Sequence, residues 1–171
     1  TNLTVDLGFI NVVDAAFLDY GDAPDAGAGT GFQNYNTTAF DNGAAHTLEG
    51  TDAFLGQCWD ADSGLAANLS ATADDTNPGY TGGIVCATGP DDDDGVMFPA
   101  TLRTTTTAQV AVTTTGSCVV TGWIDWDQNG VFGNNAHEQI ANDLAIDATT
   151  SVLDVVVPAD AAVGYTYARF R

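Results

Sequence analysis

Lysine is missing from this 171-residue chain, and arginine occurs only at Arg103, Arg169 and Arg171. With 23 acidic residues against those three, the net charge is −20. A surface so negative repels polyanions, which excludes nucleic acid and an anionic membrane surface as partners. The absence of lysine excludes Schiff-base chemistry and lysine–asparagine isopeptide staples. Cysteine is scarce: Cys58, Cys86 and Cys118 form no C-x-x-C pair, and only His46 and His137 could assist them, which argues against a thiolate zinc site. Neither H-E-x-x-H nor G-x-S-x-G occurs. No apolar run approaches the roughly 18 residues a membrane span needs. No signal peptide is seen, and the chain opens on Thr1 without methionine, so a longer precursor or a processed form is expected.

What is present is a full complement of core formers, 44% of the residues, in a length that suits one domain. The acids are nearly all aspartate; Glu49 and Glu138 are the two glutamates. Short carboxylates suit turns and loop ligation of hard cations. A salt-adapted surface is the alternative, since high salt also screens the repulsion.

No stretch carries a convincing helical period. Thr1–Val13 is β-branched and loosely alternating, and reads as one long strand. From Leu18 to Gly29 the chain is turn-rich, and residues 30–95 are irregular and rich in Gly, Asn, Thr and Asp. Beyond Gly95 regular strands are predicted at Val96–Phe98, Ala108–Thr113, Ser117–Trp126, Glu138–Ala141, Ser151–Val157 and Gly164–Arg171. In Ser151–Val157, alternation points Leu153, Val155 and Val157 inward and Asp154 outward. Short strands separated by turn signals predict an all-β fold, a β-sandwich of jelly-roll or Ig-like kind with a long calcium-binding loop region.

The strongest local motif is Asp125-Trp-Asp127-Gln-Asn129-Gly130, a D-x-D-x-N-G run at the end of a predicted strand. Calcium takes six to eight oxygens, and alternate side chains converge on one ion only where the backbone turns sharply, as glycine permits. The Val131 carbonyl falls where such loops supply a backbone ligand. An EF-hand would close with glutamate where Ala136 stands; Glu138, two residues late, is the closing candidate. With a strand rather than a helix leading in, this is a calcium loop on a β-scaffold. The plain alternative is a solvated Asp/Asn/Gly turn.

Several blocks together resemble the GEVED domain, a module of large secreted or cell-surface proteins: LDYGDAPDAG at 18–27, Ala45-His46, Leu55-Gly56 followed by Asp60-Ala-Asp62, Ala73-Asp74-Asp75, Asp91 to Pro99, Gly122 to Gly130, and Tyr167 to Arg171. They occur in the family's order over residues 18–171. Asn2 to Phe9 resembles the last strand of a B-type repeat, the spacer of bacterial adhesins, so residues 1–13 are expected to be a linker strand and 14–171 the domain. The family's Asp-Glu-Asp-Gly-Val is Asp92-Asp-Asp-Gly-Val96 here, and the Gly-Glu-Val-Glu-Asp stretch that names the family does not occur before Arg171. The resemblance implies a non-enzymatic, calcium-rich surface module and names no ligand.

Further expectations follow from the residues. Asp22, Asp25, Asp75 and Asp92 are candidates for a second calcium site, against a solvated acidic face. Like charges packed into one loop region repel, and a divalent ion reverses the sign. Carboxylates among other acids and glycines lack the apolar pocket that acid catalysis needs. Cys58 and Cys86 flank one loop-rich segment and are the preferred disulfide, with Cys118 a core thiol; spacing alone does not decide the pairing. Arg169 and Arg171 are expected to pair with aspartates, and Trp123 and Trp126 to pack in the core rather than form a sugar platform. A sandwich short of a strand presents an open edge, a template for a strand from another copy. Val5, Leu7, Phe9 and Val12 would insert there, giving a head-to-tail filament. The expected partners are therefore other copies or adjacent modules at the cell surface, with a peptide or glycan ligand as the competing reading.

Overall fold

The structure is a computed structural model that describes residues 18–47, 53–57, 64–65, 67–72 and 94–171. Nine strands occur in this part: β1 (Leu18–Asp19), β2 (His46–Thr47), β3 (Phe54–Leu55), β4 (Val96–Met97), β5 (Thr107–Thr115), β6 (Ser117–Ile124), β7 (Gln139–Asp147), β8 (Thr150–Val156) and β9 (Ala168–Phe170). The one helical element among the described residues is a 3-10 turn at Ala39–Asp41. The fold is all-β, and its four long strands form a β-sandwich.

β5 and β6 are long because their sequences alternate. In TAQVAVTTT and SCVVTGWI every second residue points inward, burying Val110, Val112 and Thr114 on one strand and Val120 and Ile124 on the other. β5 pairs antiparallel with β8 over seven residues, from Thr107↔Val156 to Thr113↔Thr150. Its opposite edge carries β4 and then β3 in succession, joined through Gly95 and Gly56 to Thr113. The second sheet is β7-β6-β9, also antiparallel.

The chain changes sheets twice at one end. Gly116, at φ 73°, turns β5 into β6, and Ala148, at φ 46°, turns β7 into β8. The two corners bond to each other, Ala148 N–H to the Gly116 carbonyl at 3.0 Å and Thr114 N–H to the Thr149 carbonyl at 3.1 Å. This stacks the sheets face to face. Val112, Val120 and Ile146 fill the core near the corners; Val110, Ile124, Trp126, Val155 and Val157 fill it towards the other end. Each such side chain contributes about 1.5–3 kcal/mol relative to exposure. Phe170 of β9 packs against both clusters, and it can do so because residue 122 is glycine: a Cβ there would lie 2.6 Å from the Phe170 ring.

Several strand boundaries depart from expectation. β7 runs to Asp147, well past Ala141. Register shifts opposite Gly122 and a positive φ of 49° at Asp143 interrupt its alternation, which hides the continuing strand from a periodicity argument. β6 stops at Ile124, because Asp125 already belongs to the loop. β9 covers only Ala168–Phe170, since the preceding segment wraps over the core with Ala162 N–H on the Trp126 carbonyl. Leu153, Val155 and Val157 face the core and Asp154 faces out, as expected. Cys118 is a free thiol packed on the Val112 cluster. Cys58, Cys86 and residues 1–13, where a strand was expected, lie outside the described residues. No helix among the described residues is long and apolar enough to cross a membrane.

Candidate metal centre

The β6–β7 ladder positions the site. Trp123 pairs with Gln139, and one step further the Ile124 N–H donates to the Glu138 carbonyl at 2.9 Å. Asp125 and Glu138 therefore stand at the two mouths of the connecting loop. One ligand oxygen from each of Asp125, Asp127 and Glu138 comes within 4.8 Å of the others. Glu138 thus closes the loop despite its late position, because strand register rather than loop count brings it back.

Asp125 and Glu138 are fully buried, whereas Asp127 is exposed. The loop's own amides cradle these carboxylates. Asp125 Oδ2 accepts from Gly130 N–H at 2.9 Å, while Asn129 N–H is shared between Asp125 Oδ1 and Asp127 Oδ1, both at 3.2 Å. Asn129 Oδ1 accepts from Val131 N–H at 2.8 Å. Glu138 Oε2 accepts from Gly133 and Asn134 N–H at 2.8 and 3.1 Å, and Oε1 accepts from the Asn135 amide at 2.8 Å. The turn uses left-handed backbone at Gln128, Gly130 and Gly133. Burial, followed by the charges of Asp127 and Asp125, pushes the Glu138 carboxyl above its ordinary range despite its amide donors. Partial desolvation and the adjacent Asp125 push Asp127 up as well. Three converging carboxylates form a site that could hold a metal ion, and oxygen-only donors suit a hard cation.

A second segment forms the floor of the loop. Tyr35 is 1% exposed, and its hydroxyl donates to Asp125 Oδ2 at 2.7 Å. Its ring stacks on Phe132 at 4.8 Å and meets Tyr167 edge-on at 5.3 Å. Burial, then the bond to Asp125 and its charge, pushes the Tyr35 phenol far above its ordinary value. Sequence reasoning missed Tyr35 and also Asn135. An aromatic in a polar, irregular stretch was the available signal for Tyr35, and nothing in its spacing pointed to Asp125.

The other candidates divide. Asp22 is buried, and Asp25 Oδ2 accepts from the Thr37 N–H, Thr38 N–H and Thr38 hydroxyl at 3.1, 2.8 and 2.8 Å. Although burial opposes it, these donors hold Asp25 below the ordinary carboxylate value. Among the described residues neither joins a cluster of three metal-binding groups; Asp75 and Asp92 lie outside them. Asp94 holds the Gln57 N–H at 2.9 Å.

The arginines have other partners among the described residues. Arg169 lies over Phe132 at 4.6 Å and donates to the Asn36 carbonyl and Thr37 hydroxyl, and Arg171 donates to the Ala45 carbonyl at 2.9 Å. β9 runs beside the 36–45 segment, which offers it carbonyls, while Asp25 there is already occupied by amides. Trp126 is core, with its indole N–H on the His137 carbonyl at 3.0 Å, and Trp123 is half-buried.

Comparison with curated proteins and with solved structures finds no match. The upstream blocks, and the Asn2–Phe9 segment read as resembling a B-type repeat, lie outside the family match that is found. That match takes in most of β6, the carboxylate loop, β7, β8 and β9: residues 119–171 match the family model of the GEVED domain.

Proposed function

We propose that the chain is a non-catalytic, calcium-stabilised extracellular module with a structural or adhesive role in a surface protein or extracellular fibre. The observation that carries this is the convergence of Asp125, Asp127 and Glu138, two of them fully buried, with no arginine among them. Uncompensated, such a group costs several kcal/mol. A divalent ion reverses that sign, and Asp125, Asp127, Asn129, Glu138 and the Val131 carbonyl are the residues that would hold it. Calcium suits a set drawn from side chains and backbone better than magnesium, which demands stricter octahedral geometry. The GEVED match supports placement in a secreted or surface protein.

The test is metal removal. An ion that binds only the folded state stabilises it by about 2.7 kcal/mol at one hundred times its dissociation constant. For a chain of this size that corresponds to a fall in melting temperature of about 5–10 °C on chelation. An unchanged melting curve after verified metal removal would sink the reading.

Assembly is the second part of the proposal. β9 pairs with β6 on one side, and no strand among the described residues pairs with its other side. A strand from a neighbouring copy, with Val5, Leu7, Phe9 and Val12 inward, would satisfy that edge. Deleting residues 1–13 is expected to convert polymers into monomers by light scattering; persistent polymers would refute the assembly. The competing reading, a peptide- or glycan-binding adhesin, draws on the exposure of Asp127, which would leave one side of the ion reachable. Glycan or peptide binding that disappears in chelator would favour it.

A further inference from the structure

We propose that Tyr35 is a positioning residue of the metal centre, and that the turn at 31–35 is its second wall, so that ion binding and docking of this distant segment are one linked event. The inference rests on the calcium reading and deepens it.

The geometry shows what Tyr35 does to Asp125. A carboxylate can only accept, so the phenol donates, and with Gly130 N–H it gives Oδ2 two short bonds. Oδ1 receives only the long, shared bond from Asn129 N–H. Oδ1 is thus the oxygen left with acceptor capacity, and it shares its donor with Asp127 Oδ1. Without the phenol, the carboxylate loses the contact that sets which oxygen faces its partners.

The contact is not a single hydrogen bond. Gly130 sits directly on the backbone of the turn, where a Cβ would fall 2.3 Å from both the Gly31 and the Asn34 carbonyl oxygens. Gly31 and Asn34 bond to each other in both directions at 2.9 Å. The Asn34 side chain holds the turn in shape, accepting from Ala26 N–H and donating to the Gly27 and Gly29 carbonyls. Tyr35 N–H donates to the Pro24 carbonyl at 2.7 Å. The turn supplies no carboxylate to the centre; it supplies shape and one donor. Anything that requires Asp125 in this orientation therefore favours the docked turn, and by linkage the docked turn favours the ion equally.

The test is calorimetric titration of the metal-stripped 171-residue chain with calcium chloride, for the wild type, Tyr35→Phe, Asn34→Ala and Asp127→Ala, with hydrogen exchange of the amides at 31–38. Tyr35→Phe keeps the ring stack and removes one bond to a charged group, and is expected to weaken calcium binding about tenfold. Asn34→Ala, whose side chain touches no ligand, is expected to weaken it less but measurably. Calcium is expected to protect the 31–38 amides in the wild type and to protect them less in Tyr35→Phe at equal calcium. If Tyr35 were only a packing residue, Tyr35→Phe would lower the melting temperature equally with and without calcium and leave the affinity unchanged, and that result overturns the proposal. A wild type that binds no calcium, indistinguishable from Asp127→Ala, overturns the calcium reading and the proposal with it.

Discussion

The two ends of this sandwich are closed by opposite means. At one end β5 turns into β6 and β7 into β8 through Gly116 and Ala148, the corners bond backbone to backbone, and Val112, Val120 and Ile146 seal the space between the sheets. At the other end the same β6 and β7 are joined by a loop that buries Asp125 and Glu138 beside Asp127. The first closure is complete in itself, since apolar burial and satisfied amides need no third party. The second gathers like charges, which a bound cation would offset. On the proposed reading, one pair of strands carries a stability that is fixed at one end and conditional on solution at the other.

The largest expected effect tests that contrast directly. Ile146→Ala empties the fixed end and is expected to cost about 2–5 kcal/mol by denaturant unfolding, equally with calcium and with chelator. Asp125→Ala is expected to destabilise in calcium, by at least the binding contribution of about 2.7 kcal/mol at saturation, and much less in chelator. If both variants respond to calcium alike, the two ends are not distinct.

A smaller effect should appear with pH in the metal-free chain. Glu138 and Asp127 bind protons more tightly folded than unfolded. Their contribution to stability is therefore present below the ordinary values of 4.5 and 3.8 and is lost as pH rises through their higher folded values. Asp25 works the other way: its contribution holds above 3.8 and is lost as pH falls through its lower folded value. Mild acidification in chelator is thus expected to raise the melting temperature before stronger acid lowers it. Calcium should abolish the rise, because protons then compete with the ion; a rise that survives saturating calcium would count against the site.

The smallest effect belongs to Asp154→Ala. Asp154 is exposed on β8 and accepts one long bond, 3.4 Å, from Gln109. A change within about 0.5 kcal/mol is expected, with calcium affinity unaltered. A loss comparable with Asp125→Ala would mean the metal is elsewhere.

Much of this organisation was readable beforehand. The inward set Leu153, Val155 and Val157, the strands at β5, β6 and β8, the core role of Trp126 and the free Cys118 follow from alternation and composition. The carboxylate loop was readable as a motif, with Glu138 as the candidate to close it. The length of β7 was not, because a bulge shifts the alternation on which such reading depends. The described partners of Arg169 and Arg171, backbone carbonyls and the Thr37 hydroxyl, were not readable either: charge counting favours aspartates, but a side chain also bonds what lies beside it.

By itself the sequence determined what is local. Residue period sets which face of a strand is apolar, and D-x-D-x-N-G sets a loop whose amides turn back on their own carboxylates, since both depend on neighbours a few residues apart. Only the tertiary structure decided that Glu138 meets Asp125, that Tyr35 lies beneath them from 90 residues away, and that Arg169 covers Phe132. Those contacts depend on strand register and on how loops fold across the sandwich end. They are set by the summed packing of the whole core, which no single spacing in the chain encodes.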